Sequence, residues 1–413
     1  MGIINVDEIK SGMVLGSNLF GPNGRFILAE GTILEDKHLQ VFKTWGITQA
    51  DIENISQCDV AELQLNKYGT EIIVRSRQLV SQRFAATNRE HEAMAELYRL
   101  AVLRTAELLQ NNPDEAYRLN SIPEIQELPE TPLPQLNISD VISANVQFAS
   151  LPDTFIKVSE AINDFRSSST YIAKVISADI GLSAKLLKLV NSAFYGVPQK
   201  IESLSQAVTL IGTRQLGSLA QGIALIEHFK GISSTVIDMQ SFWHHSISCG
   251  VIARLISDMH KMNNSAPFWI AGLLHDIGRL VILQDHPVYV TAVLVQALKE
   301  QTTSDVLEPA LLGFSHAKIA GLLFEQWNFS PTIESAVKYH HAPHEAQSKI
   351  EPAIIHLADI IAHGMAEGKS GNPYVPPLAP SAWETLGISK NDLATIIIQA
   401  DYQINTLMDI FMS

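Results

Sequence analysis

The chain has 413 residues, 46% hydrophobic and 17% charged, with 43 acidic against 29 basic side chains and a net charge of −14. At roughly 100–200 residues per domain this length implies two or three domains, and the apolar content excludes wholesale disorder. The charge excludes generic nucleic-acid binding, because such a surface repels phosphate backbones at long range. Cys58 and Cys249 fall in segments that read as separate domains, so neither a disulfide framework nor a CxxC metal knuckle can be built from them. The acidic start Met1-Gly2-Ile3-Ile4-Asn5-Val6-Asp7-Glu8 is unlike a signal peptide. Every long apolar stretch is interrupted by charge or His short of the ~18 residues a membrane span needs. A cytoplasmic protein with no membrane span is the expectation.

Residues 1–57 read as a small β-rich domain. Asn23-Gly24 between two apolar runs signals a hairpin, since both residues accept positive φ. A short helix follows from Glu35 to Trp45 with Gly46 as its C-cap, then a strand from Ile47 to Ile52. Residues 58–112 form a helical connector. Its run from Arg75 to Gln110 has no Gly or Pro and reads as a coiled coil or a helical hairpin, a surface through which a homodimer could form. Residues 113–135, with Pro113, Pro123, Pro129, Pro132 and Pro134 among acids, read as a linker that resists helix. From 136 to 413 the apolar spacing is helical throughout, broken at Gly196-Val197-Pro198 and Ser370-Gly371-Asn372-Pro373. The fold class is therefore mainly α, an all-helical C-terminal domain behind the small β-rich one.

The sharpest chemical cluster is Leu273-Leu274-His275-Asp276-Ile277-Gly278-Arg279. Adjacent residues on a helix project about 100° apart, so His275 and Asp276 can both reach one metal held between helices. An imidazole with a carboxylate suits Mn, Fe, Zn or Mg, depending on the other ligands. Singly, each His on an apolar helix reads more simply as a hydrogen-bonded core residue. Together they form a series: Trp243-His244-His245 upstream, then Glu308, Ser315-His316, Tyr339-His340-His341 and Leu357-Ala358-Asp359 downstream. That order resembles the His…His-Asp…His…His…Asp series of HD phosphohydrolases.

A closer resemblance follows from the stretch Ile176-Ser177-Ala178-Asp179-Ile180-Gly181-Leu182 through Asn191-Ser192-Ala193-Phe194-Tyr195-Gly196, continued by Ile201, Ala207-Val208 and Leu210-Ile211-Gly212. With the His275-Asp276-Ile277-Gly278 and Gly313-Phe314-Ser315-His316 boxes, it resembles the signature of HDOD domains, bacterial signalling relatives of the HD enzymes, over about residues 136–365. Gly12-Met13 and Trp45-Gly46-Ile47 resemble a small domain often found ahead of HD-GYP and HDOD modules. The resemblance implies a bacterial signal-transduction output or scaffold module acting through signalling-protein partners. Its alternative implication is a metal-dependent phosphohydrolase, a phosphodiesterase acting on a nucleotide or cyclic dinucleotide.

The implied ligand set is His245, His275, Asp276, His316, His341 and Asp359, holding one or two divalent metals (Fe, Mn or Mg). His244 competes with His245 for one place and His340 with His341 for another, and the family pattern implies the second of each pair. Asp276 and Arg279 take the catalytic places. Asp276 would bind metal that makes hydroxide near neutral pH, and Arg279 would steady a phosphate oxygen. Arg279 stands where the HD-GYP enzymes carry Lys, and their Gly-Tyr-Pro motif is absent. Asn191 and Tyr195, at the signature corner, read either as packing or as the polar tips of a partner-docking or ligand-sensing site.

Overall fold

The computed structural model of the chain describes all residues except 1, 6–8, 21–25, 45–48, 54–64, 66, 121–132, 135, 147–151, 165, 193, 196–198, 233, 235, 261, 263–264 and 413. Helices account for 68% and strands for 3%, so the fold is mainly α. The chain divides into two compact units, Met1–Arg77 with Thr105–Asn112 and Gln78–Arg104 with Pro113–Ser413.

The first unit holds strands β1 (Gly2–Asn5), β2 (Leu19–Phe20), β3 (Phe26–Leu28) and β4 (Gln49–Ile52) and helix α1 (Asp36–Thr44). β1 pairs antiparallel with β4, and β2 with β3. Each strand has only two to four residues and one partner, so "β-rich" overstates a unit that closes around Leu15, Leu34, Phe42 and Ile52. The Asn23-Gly24 turn, the Gly46 cap and Cys58 lie outside the described residues.

The Gly- and Pro-free run is two helices, α2 (Thr70–Arg83) and α3 (Glu92–Asn111). Between them, Asn88 Oδ1 accepts from Glu90 N–H and His91 Nδ1 from Ala93 N–H, local bonds that compete with helix and start α3 anew. The expected linker also begins differently: Pro113 opens helix α4 (Pro113–Asn120). Proline is favoured at the first helical position, where its missing N–H has no partner to lose. Most of the remaining linker, 121–132 and 135, is outside the described residues.

The rest of the second unit consists of α5 (Ile138–Val146), α6 (Asp153–Asn163), α7 (Ser169–Ser177), α8 (Ile180–Val190), α9 (Leu204–Ile211), α10 (Thr213–Phe229), α11 (Met239–Met259), α12 (Ala266–Leu274), α13 (Ile277–Asp285), α14 (Pro287–Glu300), α15 (Ser304–Leu312), α16 (His316–Gln326), α17 (Pro331–Lys338), α18 (Ile350–Gly364), α19 (Pro380–Leu386) and α20 (Lys390–Phe411). Their starts are written locally. Ser168, Asp179, Ser203, Asp238, Ser315 and Ser330 each accept, through the side chain, the N–H three residues on. Such caps contribute about 1 kcal/mol each.

Two helices, α11 and α18, are buried on nearly every face and pack on one another at the centre. α12 lies against α11 with backbone touching backbone: a Cβ on Gly272 would meet Gly250 Cα at 2.7 Å. The run Ala266–Asp285 is long and apolar enough to cross a membrane by composition, yet its 18-residue apolar window is 94% buried in the protein. Polar residues on these central helices cannot reach bulk water and must find partners inside.

Candidate metal centre

Five parts of the chain deliver imidazoles and carboxylates to one buried place. α11 carries His245, the break between α12 and α13 carries His275 and Asp276, and the first residue of α16 is His316. The turn after α17 supplies His340 and His341, and α18 supplies Asp359 and His363. His245, His275, His316 and His340 are 0% exposed, Asp276 2% and Asp359 3%.

Their ligand-type atoms form three overlapping groups, Asp276–His316–His340–His341, His245–His275–Asp276 and His245–Asp359–His363, each within 4.8 Å throughout. Individual separations are 2.9 Å for His316 Nε2 to Asp276 Oδ1, 3.2 Å for His316 Nε2 to His341 Nε2, 3.0 Å for His245 Nε2 to Asp359 Oδ1 and 3.4 Å for His363 Nε2 to Asp359 Oδ1. Ligands about 2.0–2.2 Å from one ion stand roughly 3–3.5 Å from each other, the spacing seen here.

The donor set fits a cation. His275 Nδ1 donates to Gly272 O (2.7 Å), His316 Nδ1 to Glu308 Oε2 (2.6 Å) and His340 Nδ1 to Val337 O (2.6 Å). Each bond places the lone pair on Nε2, facing the centre, as the outer partners of metal-bound histidines do. His275 Nε2 and His340 Nε2 are buried without a hydrogen bond, and so is His245 Nδ1. His275 Nε2 lies 3.3 Å from Asp276 Oδ2 and 3.5 Å from Asp359 Oδ1, within ion-pair range but not oriented for a hydrogen bond. A lone pair facing carboxylates needs a proton or a cation between them.

Electrostatics agree. Burial disfavours charge on Asp276, yet Arg279, His275 and His316 hold its carboxyl well below the usual range. Asp359 is likewise depressed against burial by His363, His245 and His275, and Glu308 against burial by His316 and Arg279. Asp276 and Glu308 share the guanidinium of Arg279, at 3.0 and 4.0 Å, while imidazoles face Asp359, and a divalent ion would replace the positive charge that protons on these rings otherwise supply. Burial pushes the His340 and His363 imidazoles down to about 3, so both stay neutral and able to ligate. For His275, burial opposes the cation, but Asp276 and Cys249 outweigh it and raise the pKa. For His316, Glu308 and Asp276 outweigh burial and Arg279. Protons on these two rings compete with metal, so metal affinity is expected to rise with pH by about tenfold per unit for each proton displaced. Titrations at pH 5.5, 6.5 and 7.5 test this; equal affinities at all three would contradict it.

All six ligands expected from the sequence converge here, and His340 joins beside His341. His244 does not: its Nε2 bonds Glu367 Oε2 at 2.9 Å, in an outer layer that also includes Arg104. Arg279 is 5% exposed, with Nε donating to Asp276 Oδ1 at 3.0 Å. It faces inward as the countercharge of Asp276 rather than outward to a phosphate. His363 and the His316 partner Glu308 were not among the expected ligands. His363 sits one helical turn after Asp359 on the same face, a spacing visible in the sequence. His356, also buried, is a strut: Nδ1 donates to His340 O and Nε2 accepts from Ala379 N–H, pinning the turn that carries His340 and His341.

The signature corner lies elsewhere in the unit. Asn191 Nδ2 donates to Leu187 O and Ile201 O (both 2.8 Å), while its Oδ1 accepts from Ile201 N–H (2.7 Å). Arg254 stacks 4.0 Å from the Phe194 ring and 5.1 Å from that of Tyr195. Burial pushes the Tyr195 hydroxyl up to about 12 against a hydrogen bond with Gln215. Both polar tips are thus turned to internal partners. Asn191→Ala is expected to cost about 1–3 kcal/mol in denaturant unfolding by orphaning Ile201 N–H, and a change under 0.5 kcal/mol would contradict the clasp.

An all-helical domain with a buried cluster of His and Asp suited to metal is the class of protein that the fold and site define. Residues 148–343 match the HDOD domain family, so the chain contains an HDOD domain. An uncharacterised protein of Treponema pallidum (strain Nichols) is 26% identical over 212 residues, 50% of this chain; the match spans only 40% of that protein's length. Among solved structures, a Shewanella amazonensis SB2B protein provisionally named a phosphohydrolase is 20% identical with a TM-score of 0.52, covering 66% of this chain and 97% of that one. A Marinobacter aquaeolei VT8 protein provisionally named for signal transduction is 18% identical with a TM-score of 0.52, covering 76% and 73%. At these identities the likeness is one of fold.

Proposed function

We propose that this HDOD protein is a signal-transduction output module that acts through protein partners, and that its His/Asp centre holds a divalent ion for structure or state rather than for turnover. The observation that carries this reading is the sealing of the centre: four of its histidines are 0% exposed and its two aspartates at most 3%. Metal-dependent hydrolysis needs room for water and a phosphate oxygen beside the ion. With imidazole donors in the majority, Fe, Mn or Zn suits the set better than Mg, which prefers all-oxygen ligands. The residues to hold it are His245, His275, Asp276, His316, His340, His341, Asp359 and His363. A metal there would acidify a bound water if water could reach it.

One observation favours the hydrolase reading. His341 and Asp305 keep 14% of their side chains exposed and open one edge of the centre. The test is protein loaded with Fe(II), Mn(II) or Zn(II) and assayed on bis(4-nitrophenyl) phosphate and on cyclic dinucleotides. The signalling reading expects stoichiometric metal and a rate within about tenfold of that of a His316→Ala variant. A loaded rate more than about 10³-fold above that variant would establish the hydrolase instead.

A further inference from the structure

Away from the metal centre, a cavity of about 460 Å³ opens between α6, α10, α12 and the turn that leads into α17. That volume lies within the roughly 300–1,000 Å³ of small-molecule pockets. No Asp or Glu lines it among the described residues, although the chain carries 43 of them. Its one charged lining side chain is Arg214, exposed and without an ion pair to any described residue.

Two features point to a ligand. Gln221, only 3% exposed, lines the cavity with an amide nitrogen that is buried and makes no hydrogen bond. Such an orphan costs about 1–3 kcal/mol unless something accepts from it. The N-terminus of α17, at Ser330, Pro331 and Thr332, forms part of the same wall and favours negative charge. Opposite in character are Ile162, Ile270 and Phe329, which make an apolar surface. A cation, a helix N-terminus, a buried unpaired donor and an apolar wall in one cleft describe an anion attached to a flat apolar body.

We propose that this cleft binds a small organic phosphate monoester, with its anion at Arg214 and the start of α17, an oxygen accepting from Gln221, and its apolar end against Ile162, Ile270 and Phe329. The site reaches the rest of the domain directly. Gln215, in its lining, bonds the Tyr195 hydroxyl of the signature corner, and α12, another wall, runs into His275 and Asp276.

Isothermal titration calorimetry of the full chain tests this with adenosine 5′-monophosphate and phenyl phosphate as probes, against inorganic phosphate, adenosine and benzoate. At least one monoester is expected to bind with Kd below about 1 mM, and inorganic phosphate and adenosine at least about tenfold more weakly. Arg214→Ala should weaken the monoester by about tenfold or more, the loss of a charge-assisted bond. Gln221→Leu should weaken it about fivefold while leaving the melting temperature unchanged or higher, because the unpaired amide is gone. Absence of binding by both monoesters would overturn the proposal. So would a Kd that neither substitution moves, or tighter binding of benzoate than of phenyl phosphate.

Discussion

Replacing His275 and Asp276 together by alanine is expected to abolish stoichiometric metal binding and to lower the melting temperature by roughly 6–20 °C. The carboxylate of Asp276 accepts from Arg279 Nε at 3.0 Å and stands 2.9 Å from His316 Nε2, all inside the protein. Its removal leaves Arg279 buried beside Gly371 O at 3.4 Å and Glu308 Oε1 at 4.0 Å, with Asp305 as a further nearby carboxylate. Breaking a buried pair by deleting one partner costs about 3–5 kcal/mol. For a domain of this size each kcal/mol shifts the melting point by about 2–4 °C. Elemental analysis of protein purified without oxygen or chelator, beside scanning calorimetry, measures both effects. Asp276→Asn keeps the volume and removes the charge, so it should lose metal with a smaller thermal penalty. Metal retained by the double variant would place the ion elsewhere, and metal absent from the parent after reconstitution would leave the cluster a polar core.

The second large effect is expected at Gly278. A Cβ there would stand 2.1 Å from the carbonyl oxygen of His316 and 2.9 Å from its carbonyl carbon, so α13 and α16 meet backbone to backbone at the centre. No rotamer change can relieve that clash; the helices must separate. Gly278→Ala is therefore expected to cost about 3 kcal/mol, the upper end of overpacking, and to weaken metal binding by moving His316. Gly181→Ala supplies the opposite sign. Gly181 lies inside helix α8, its Cβ would meet only Asp179 Oδ1 at an ordinary 3.5 Å, and alanine there should stabilise by about 0.5–1 kcal/mol. Urea unfolding of the two variants checks both signs, and a near-neutral Gly278→Ala would rule out the close approach.

Much of this was legible because it is local. Helical spacing from 136 onward marks the helices, and Asp or Ser before an apolar run marks where several begin. The order of the histidines and aspartates points to one centre, since chemistry of that kind draws scattered residues together. Other features were only partly legible, although they too are local. The run from Arg75 to Gln110 contains no breaker, and its division at residues 84–91 follows from side-chain caps that compete with helix. Pro113 looks like the start of a linker until its position as the first residue of a helix is known.

The sequence alone therefore determined the helical class, the HDOD signature and the set of side chains from which a metal centre could be made. Only the tertiary structure decided which of them enter it. His244 and His245 are neighbours, about 100° apart on one helix, and nothing local distinguishes them. His245 becomes the inward one because α18 brings Asp359 to it across 114 residues of chain. The same packing turns His244 toward Glu367, draws in His340 and His363, and points Arg279 at Asp276 instead of at solvent. Spacing along a chain sets what each element can present. Which face is buried, and against what, is set by the contact between elements, and that contact is settled only when the whole core closes.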